Sequence, residues 1–506
     1  MQVFKLPGGS VVFRFSDRTA IVFFFVLIFT GLSFSEPIEL TLGNVIDFAI
    51  NGSYRIKKLK IDIDRNMNMF KANQASLKSN VYMNIISPDL VNYSDIQQDQ
   101  IVRHNTLLWQ SDLAVRQPII LFGYPTNGYV SLNYRLYQFN NKEIDQSWNT
   151  NYYNRLFLKY EQPFFQPNEL KNNIERSKLD VDDSKLSYLD GRMDIIRDIA
   201  YSYYYIYELA NDCEIYKSQL EYLQQVKDSR QCSDNSDDSL GKLNGLQAEL
   251  ELSNVRENYR DFQNRFEKEL ANLKQRLRLP SDDSLYIETK FRFVPVNIDP
   301  ADALDKSLKL NPYFRRQAIW KRKAELGFDS EKGRNSFNVK MEVTYGLEKS
   351  DPQPRMLADD LDNTNSVKVY AYVPIVDWGE RKNRLAARQL DIERNDLEIE
   401  ESKMNMKKTI AAAVSDVKTY QERLIEVQKS VSVAKEATDA SIRNCIEGKL
   451  SIQDLLQVIN RHKDTQFKML GNYLGFRKAL LTLMTETFYD FEKKESILIL
   501  VNEDKK

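Results

Sequence analysis

The sequence predicts a mainly α-helical chain with a β part suited to a membrane barrel, built from one folding unit used twice. Three observations point there. Landmarks recur in the same order along the 506 residues, long proline-free stretches carry helical periodicity, and shorter stretches alternate with period two. Val45-Ile-Asp-Phe-Ala-Ile50 aligns with Ala303-Leu-Asp-Lys-Ser-Leu308, 258 positions later. Glu161-Gln-Pro163-Phe-Phe-Gln-Pro-Asn-Glu is echoed 211 positions later by Tyr372-Val-Pro374-Ile-Val-Asp-Trp-Gly379-Glu. Asn244-Gly-Leu-Gln247 aligns with Asp454-Leu-Leu-Gln457, 210 positions later. Duplicated units bring pseudo-symmetry, which suits closed rings and barrels.

The first element is an export signal. Lys5, Arg14 and Arg18 precede an apolar run from Ala20 to Leu32, short for a spanning helix. Small residues end at Ser35, so cleavage is expected before Glu36; an uncleaved anchor is the alternative. Removing residues 1–35 shifts the formal net charge from −1 to −3, because three basic and one acidic residue leave with it. Balanced charge gives no case for nucleic acid. No later run could cross a bilayer as a helix, and three widely spaced cysteines make no disulfide scaffold.

The mature chain divides into a first repeat over 36–290, a second over 291–490 and a polar tail over 491–506. Helical spacing marks residues 40–80 and 300–335, with Asn311-Pro312 separating two helices in the latter. Alternation follows in both repeats. Phe337, Val339, Met341, Val343 and Tyr345 form one apolar row, and Val367, Val369, Ala371 and Val373 another. In the first repeat Val130, Leu132 and Tyr134, and Leu156, Leu158 and Tyr160, do the same. A barrel between lipid and a wet lumen fits this pattern, and so does a soluble half-buried sheet. The fall in offset from 258 to 211 places about 47 extra residues in the first strand region, about 81–165. Trp109–Phe122 and Asn127–Phe139 are the expected extra strands, with Pro125-Thr-Asn127-Gly128 as their turn. Glu348–Ser366 reads as a solvated loop.

Long helical hairpins are expected over about 168–279 and 379–490. Leu385, Ile392, Ile399, Met406 and Ala413 recur every seven residues; so do Leu390, Leu397, Met404 and Ala411 on a nearly opposite face. A helix with two seams wants a neighbour on each side. At the second tip, Gly448 suits a helix stop with positive φ, and Ser451 and Asp454 have capping-box spacing. Cys232 and Cys445 both precede tips; a disulfide between them and two separate thiols both remain open. Catalysis finds no support. His104 and His462 lack metal-ligand neighbours, and no glycine-rich phosphate loop follows a strand, so no metal or cofactor is expected.

The duplication, the junction Val373-Pro374-Ile-Val-Asp377-Trp378-Gly379 and the tip Gly448-Lys-Leu-Ser451-Ile-Gln-Asp454-Leu-Leu together resemble the TolC family of outer-membrane efflux channels, over roughly residues 38–490. The resemblance implies a homotrimer sharing one β-barrel in outer-membrane lipid and one α-helical barrel in the periplasm. It also implies a periplasmic adaptor (membrane fusion) protein at the tips and an inner-membrane pump of RND, ABC or MFS type. The expected gate residues are Asp454, Gln457, Asn244 and Gln247; the expected docking tip is Gly448, Lys449, Leu450 and Ser451 with Gly241 and Lys242. Pro163, Pro374 and Gly379 mark strand-to-helix junctions. Two departures stand out. Gln457 replaces the second aspartate of the family gate, which implies weaker cation attraction, and the first-repeat insertion puts the family's four strands per protomer in doubt. The competing function is an envelope-spanning coiled-coil scaffold held by its N-terminal segment.

Overall fold

The computed structural model describes residues 38–39, 41–97, 100–143, 147–231, 239–280 and 285–497. Ser35, Glu36 and Cys232 lie outside them. The first half runs β1 (Ile38–Glu39), α1 (Leu42–Gly52), α2 (Tyr54–Ala75), β2 (Asn80–Gln97), β3 (Gln100–Leu121), β4 (Tyr124–Glu143), β5 (Asn149–Phe164), α3 (Glu169–Gln231) and α4 (Ser239–Leu277). The second runs β6 (Leu285–Tyr286), α5 (Pro300–Leu310), α6 (Pro312–Gly333), β7 (Asn338–Asp351), β8 (Asp362–Tyr372), α7 (Glu380–Ile446), α8 (Ile452–Thr487), β9 (Tyr489–Asp490) and β10 (Glu495–Ser496). Among the described residues no helix is long and apolar enough to cross a membrane.

Helix starts follow local chemistry. Ser53 caps α2 by accepting from the Ile56 amide, and Asp299 and Asn311 cap α5 and α6, each followed by proline at the first helical position. Asn311 is extended (φ −64°, ψ 119°), as a residue before proline should be.

Two compact units emerge. One gathers the described residues of Met1–Gly52, Asp198–Phe293 and Arg423–Leu474. In it, short strands β1 and β6 pair in parallel, and Tyr207, Phe291 and Tyr473 form an aromatic cluster. Asp212 on α3 is buried there; desolvation, with the nearby Glu208 charge adding to it, pushes its carboxyl up to about 7. The folded chain then holds a proton that the unfolded chain releases near pH 4, so stability falls as pH rises from about 4 to 7. Asp212→Asn is expected to stabilise the protein at pH 8, on the order of 2 kcal/mol, and to change little at pH 4. Thermal melts at both pH values check this; an equal effect at both would mean that Asp212 stays ionised.

The other unit comprises Ser53–Arg197, Val294–Glu422 and Gly475–Lys506, again for the described residues. Its helices are tied by charge. Arg316 on α6 reaches Asp183 and Asp190 on α3 at 3.0 Å each, Arg322 reaches Glu175 at 2.7 Å, and Arg55 on α2 reaches Asp194 at 2.6 Å. On the other side of α6, Gln317 donates to Ser402 of α7. Residues 491–506, expected as a polar tail, begin as structure: β9 and β10 form a hairpin whose Glu492 pairs with Arg477 of α8 at 2.7 Å.

The sheet of this unit is antiparallel, six-stranded, in the order β2-β3-β4-β5-β7-β8. The first repeat therefore supplies four strands and the second two. Two expectations are corrected. Pro125-Thr-Asn127-Gly128 is no hairpin turn; the turn is Phe122-Gly123, with positive φ at both residues (50° and 83°), as a two-residue turn of this type requires. Asn127 does have positive φ (68°), but it sits where the β3–β4 register shifts opposite Ile119, so the Asn-Gly signal marks a bulge. The loop between β7 and β8 is also shorter than Glu348–Ser366, because pairing continues to Glu348↔Asp362.

The two faces of the sheet are reversed relative to a soluble half-buried sheet. On one face, Arg135 pairs with Asp112 at 2.7 Å and Arg155 with Glu348 at 3.3 Å. Nearby, Glu161 binds Lys159 at 3.0 Å and Lys340 at 2.9 Å, and the Arg116 guanidinium lies 3.7 Å over the Tyr129 ring. Small side chains fill in between these groups, with Ala114, Ser131 and Thr344 buried. The opposite face carries cross-strand rows Met83–Leu113–Tyr134–Leu156–Leu347 and Val81–Val115–Leu132–Leu158–Tyr345. Most of these large apolar side chains are exposed, and Val367 further along the same face reaches 70%. Across β3, β4, β5 and β7 the charged face is the better packed of the two and the apolar face the more open.

Candidate gate at the hairpin tips

The second tip is built by a helix stop and a helix start only a few residues apart. At the end of α7, the Gly448 amide (φ 74°) donates to the Cys445 carbonyl at 3.1 Å and Lys449 to Asn444 at 2.8 Å, a Schellman stop. Ser451 then caps α8. Its Oγ accepts from the Asp454 amide at 3.1 Å, while the hydroxyl donates to the Asp454 carboxylate at 2.6 Å. Asp454 and Gln457 are both exposed, one helical turn apart, while Ile452, Leu455 and Ile459 are buried between them in phase. The aspartate thus caps a helix and shows its remaining acceptor sites to solvent. Lys449 is exposed and pairs with Glu447 at 2.5 Å; Leu450 is half-buried against the tip core.

That core joins four helices. Leu223 and Val226 of α3, Ala248, Leu252 and Val255 of α4, Ile442 and Cys445 of α7, and Ile452, Leu455 and Ile459 of α8 form one buried cluster. It shows that the two tips differ in reach. Val226 and Ala248 are 22 positions apart across the first tip, while Cys445 and Ile452 are 7 apart across the second. The first hairpin therefore projects further past the shared core. Gln247 lies beside the buried Ala248 on α4, as Asp454 lies beside the buried Leu455 on α8. Gln247 is exposed. Gly241, Lys242 and Asn244, expected in the loop or at the gate, lie in the first turns of α4, which begins at Ser239. His462 is buried on α8, near the Tyr222 ring, and desolvation lowers its pKa, which suits a neutral packing residue.

The two strand-to-helix junctions are built alike. Asn168 caps α3 by accepting from the Lys171 amide at 3.0 Å, and Gly379, 211 positions later, takes the capping position of α7 with positive φ. Asp377 supports it by accepting from the amides of Gly379 and Arg381 at 3.0 and 3.2 Å. Pro163 is still within β5, opposite Lys340, whereas Pro374 lies just beyond β8. Sequence reasoning missed what surrounds these junctions. Phe122 (99% exposed) and Trp378 (95%), with Tyr124 and Phe165, stand out from the strand ends nearest the helices. The signal was available, since aromatic residues gather where apolar strands meet a polar boundary.

The apolar seams of α7 also separate. Ile392, Ile399 and Met406 are half-buried and Ala413 buried, whereas Leu390, Leu397 and Met404 are all exposed, Met404 by 68%.

Comparison with solved structures finds this architecture in outer-membrane channels. The Campylobacter jejuni CmeC outer membrane channel matches with a TM-score of 0.65 at 13% identity, over 92% of this chain and 89% of that one. The Vibrio cholerae outer membrane protein VceC matches at 0.64 and 13%, over 88% and 95%. The open state of the Neisseria gonorrhoeae MtrE outer membrane channel matches at 0.59 and 12%, over 88% of each chain. No protein-family model matches the sequence, and no curated protein sequence matches it. At this identity the shared property is the fold, and it is the fold that the TolC resemblance implied.

Proposed function

We propose that the chain is an outer-membrane exit duct: a passive trimeric channel of a tripartite efflux or type I secretion system, gated at its periplasmic hairpin tips. The observation that carries this reading is the sheet with its charged face the better packed and its apolar face the more open. An apolar face of that extent left in water would drive aggregation, whereas against lipid hydrocarbon it is in its preferred solvent. The exposed seam Leu390–Leu397–Met404 adds support, because a ring of copies would cover it.

In this reading the energy comes from elsewhere. An inner-membrane pump of RND, ABC or MFS type moves the solute, and a periplasmic adaptor docks around Gly448, Lys449, Leu450 and Ser451 and the first turns of α4 at Gly241 and Lys242. Asp454 places one carboxylate per copy at the aperture, beside the neutral Gln457, with Gln247 and Asn244 opposite. Opening loosens the tip core so that these residues draw apart. Fractionation tests the placement: a trimer in the outer membrane beginning at Glu36 supports the duct, and an intact N-terminus in the inner membrane supports a scaffold. Planar-bilayer recording tests the gate. Asp454→Ala is expected to change single-channel conductance or cation block by about twofold or more, since a charged ring is removed from a narrow constriction. Recordings indistinguishable from the parent would remove Asp454 from the pore.

A further inference from the structure

We infer that all six strands of each copy stand in the channel wall, and that the wall closes where β8 of one copy pairs with β2 of the next. This rests on the channel reading above and adds to it a strand count and a closing edge; three copies would form eighteen strands rather than the twelve implied by four per copy. Four observations carry it. First, β3 and β4 are full-length members of the sheet. Their pairing runs from His104↔Glu143 down to Leu121↔Tyr124, and β2 pairs with β3 from Asn80↔Arg116 upward. A hairpin lying outside the wall would not share the ladder with both neighbours.

Second, the apolar face continues without a break across the added strands, through Met83, Leu113 and Tyr134 to Leu156 and Leu347. An extracellular insert has no need of an apolar face in register with the lipid-facing one. Third, the turn between β3 and β4, Phe122-Gly123, lies on the helix side of the sheet, since Gln117 next to it bonds Ser79 and the Leu77 carbonyl at the end of the α2 connection. The added hairpin therefore returns at the same level as the strand-to-helix junctions and crosses the whole sheet. Fourth, β2 and β8 are the two edges and are complementary as neighbours. β2 leaves a helix and β8 enters one, so contact between copies is antiparallel, like every other pair in the sheet. Val81, Met83 and Ile85 on β2 and Val367, Val369 and Ala371 on β8 lie on the same apolar face, so joining the edges extends that face. Open edges in hydrocarbon would leave a row of backbone donors and acceptors unmet, at several kcal/mol each. Pro88 lies within the register shift between Ile86 and Asp89, which divides β2 into two regular stretches, and the one nearer the helices, Asn80–Ile86, is the one offered to a partner. A wall of six strands per copy would be roughly half again as wide as one of four, because diameter grows about linearly with strand number.

Disulfide trapping in outer membranes tests this. Cysteine at Val369 on β8 is combined in turn with cysteine at Val81, Met83 or Ile85 on β2, and in a second series with cysteine at Val130, Leu132 or Leu136 on β4. Each single-cysteine variant serves as the control for the native thiols. Oxidation is expected to shift the reducible, denatured band to dimer and trimer mass for one β2 position. Links from Val369 to β4 would show that β2 and β3 lie outside the wall and would overturn the inference, as would trimers that link to neither series. Recovery of monomers outside the outer membrane would overturn the channel reading as well, which separates the two failures.

Discussion

With Leu390, Leu397 and Met404 all replaced by glutamine, the chain is expected to fold and to remain monomeric. These three residues recur every seven positions on α7, and among the described residues of a single chain they stay more than half exposed. The opposite seam, Ile392–Ile399–Met406–Ala413, already faces the chain's own interior. Burying each exposed side chain against a neighbouring copy would stabilise the assembly by about 1.5–3 kcal/mol, so three per interface outweigh the side-chain ordering that association requires. Glutamine is a good helix former, so α7 itself should persist. Native mass measurement in mild detergent, with circular dichroism as the folding control, reads the outcome. Trimers that survive the triple change would assign this seam to water or to another partner.

Arginine at both Leu132 and Leu158 is expected to lower the amount of protein in the outer membrane at least tenfold. The two leucines face each other across β4 and β5 on the open apolar face. A guanidinium near the middle of a lipid-facing strand costs about 2–4 kcal/mol, and two directly opposite add repulsion. Lys368→Leu, on the charged face of β8, should insert normally and serves as the control for general misfolding. Equal insertion of the double arginine variant and the parent would mean that this face does not meet lipid.

Much of this was legible in the chain. Helix limits could be read because their signals are local: Asn311-Pro312, Gly448 and the Ser451–Asp454 pair each act within one turn of the residues they control. The shift in repeat offset predicts extra residues in the first strand region, and four of the six strands lie there. Non-local features were less accessible. Asn127-Gly128 correctly signalled positive φ at Asn127, but a bulge and a turn both use that conformation, and only the pairing with β3 tells them apart. The direction in which each face of the sheet looks also escaped the sequence, since alternation is the same for a lipid wall and a soluble sheet.

The β5–β7 ladder has a consequence for biogenesis. It pairs Tyr160 with Val343, 183 positions apart, inside the sheet. Loop closure across that distance must come before the pairing that rewards it, so the sheet forms late and slowly. Until residues beyond 340 arrive, the four strands of the first repeat have their apolar face and both edges open to water. A chain delivered from its N-terminus thus passes through a long aggregation-prone interval, and its yield should depend on periplasmic holding factors more steeply than that of a barrel whose neighbouring strands are all consecutive in sequence.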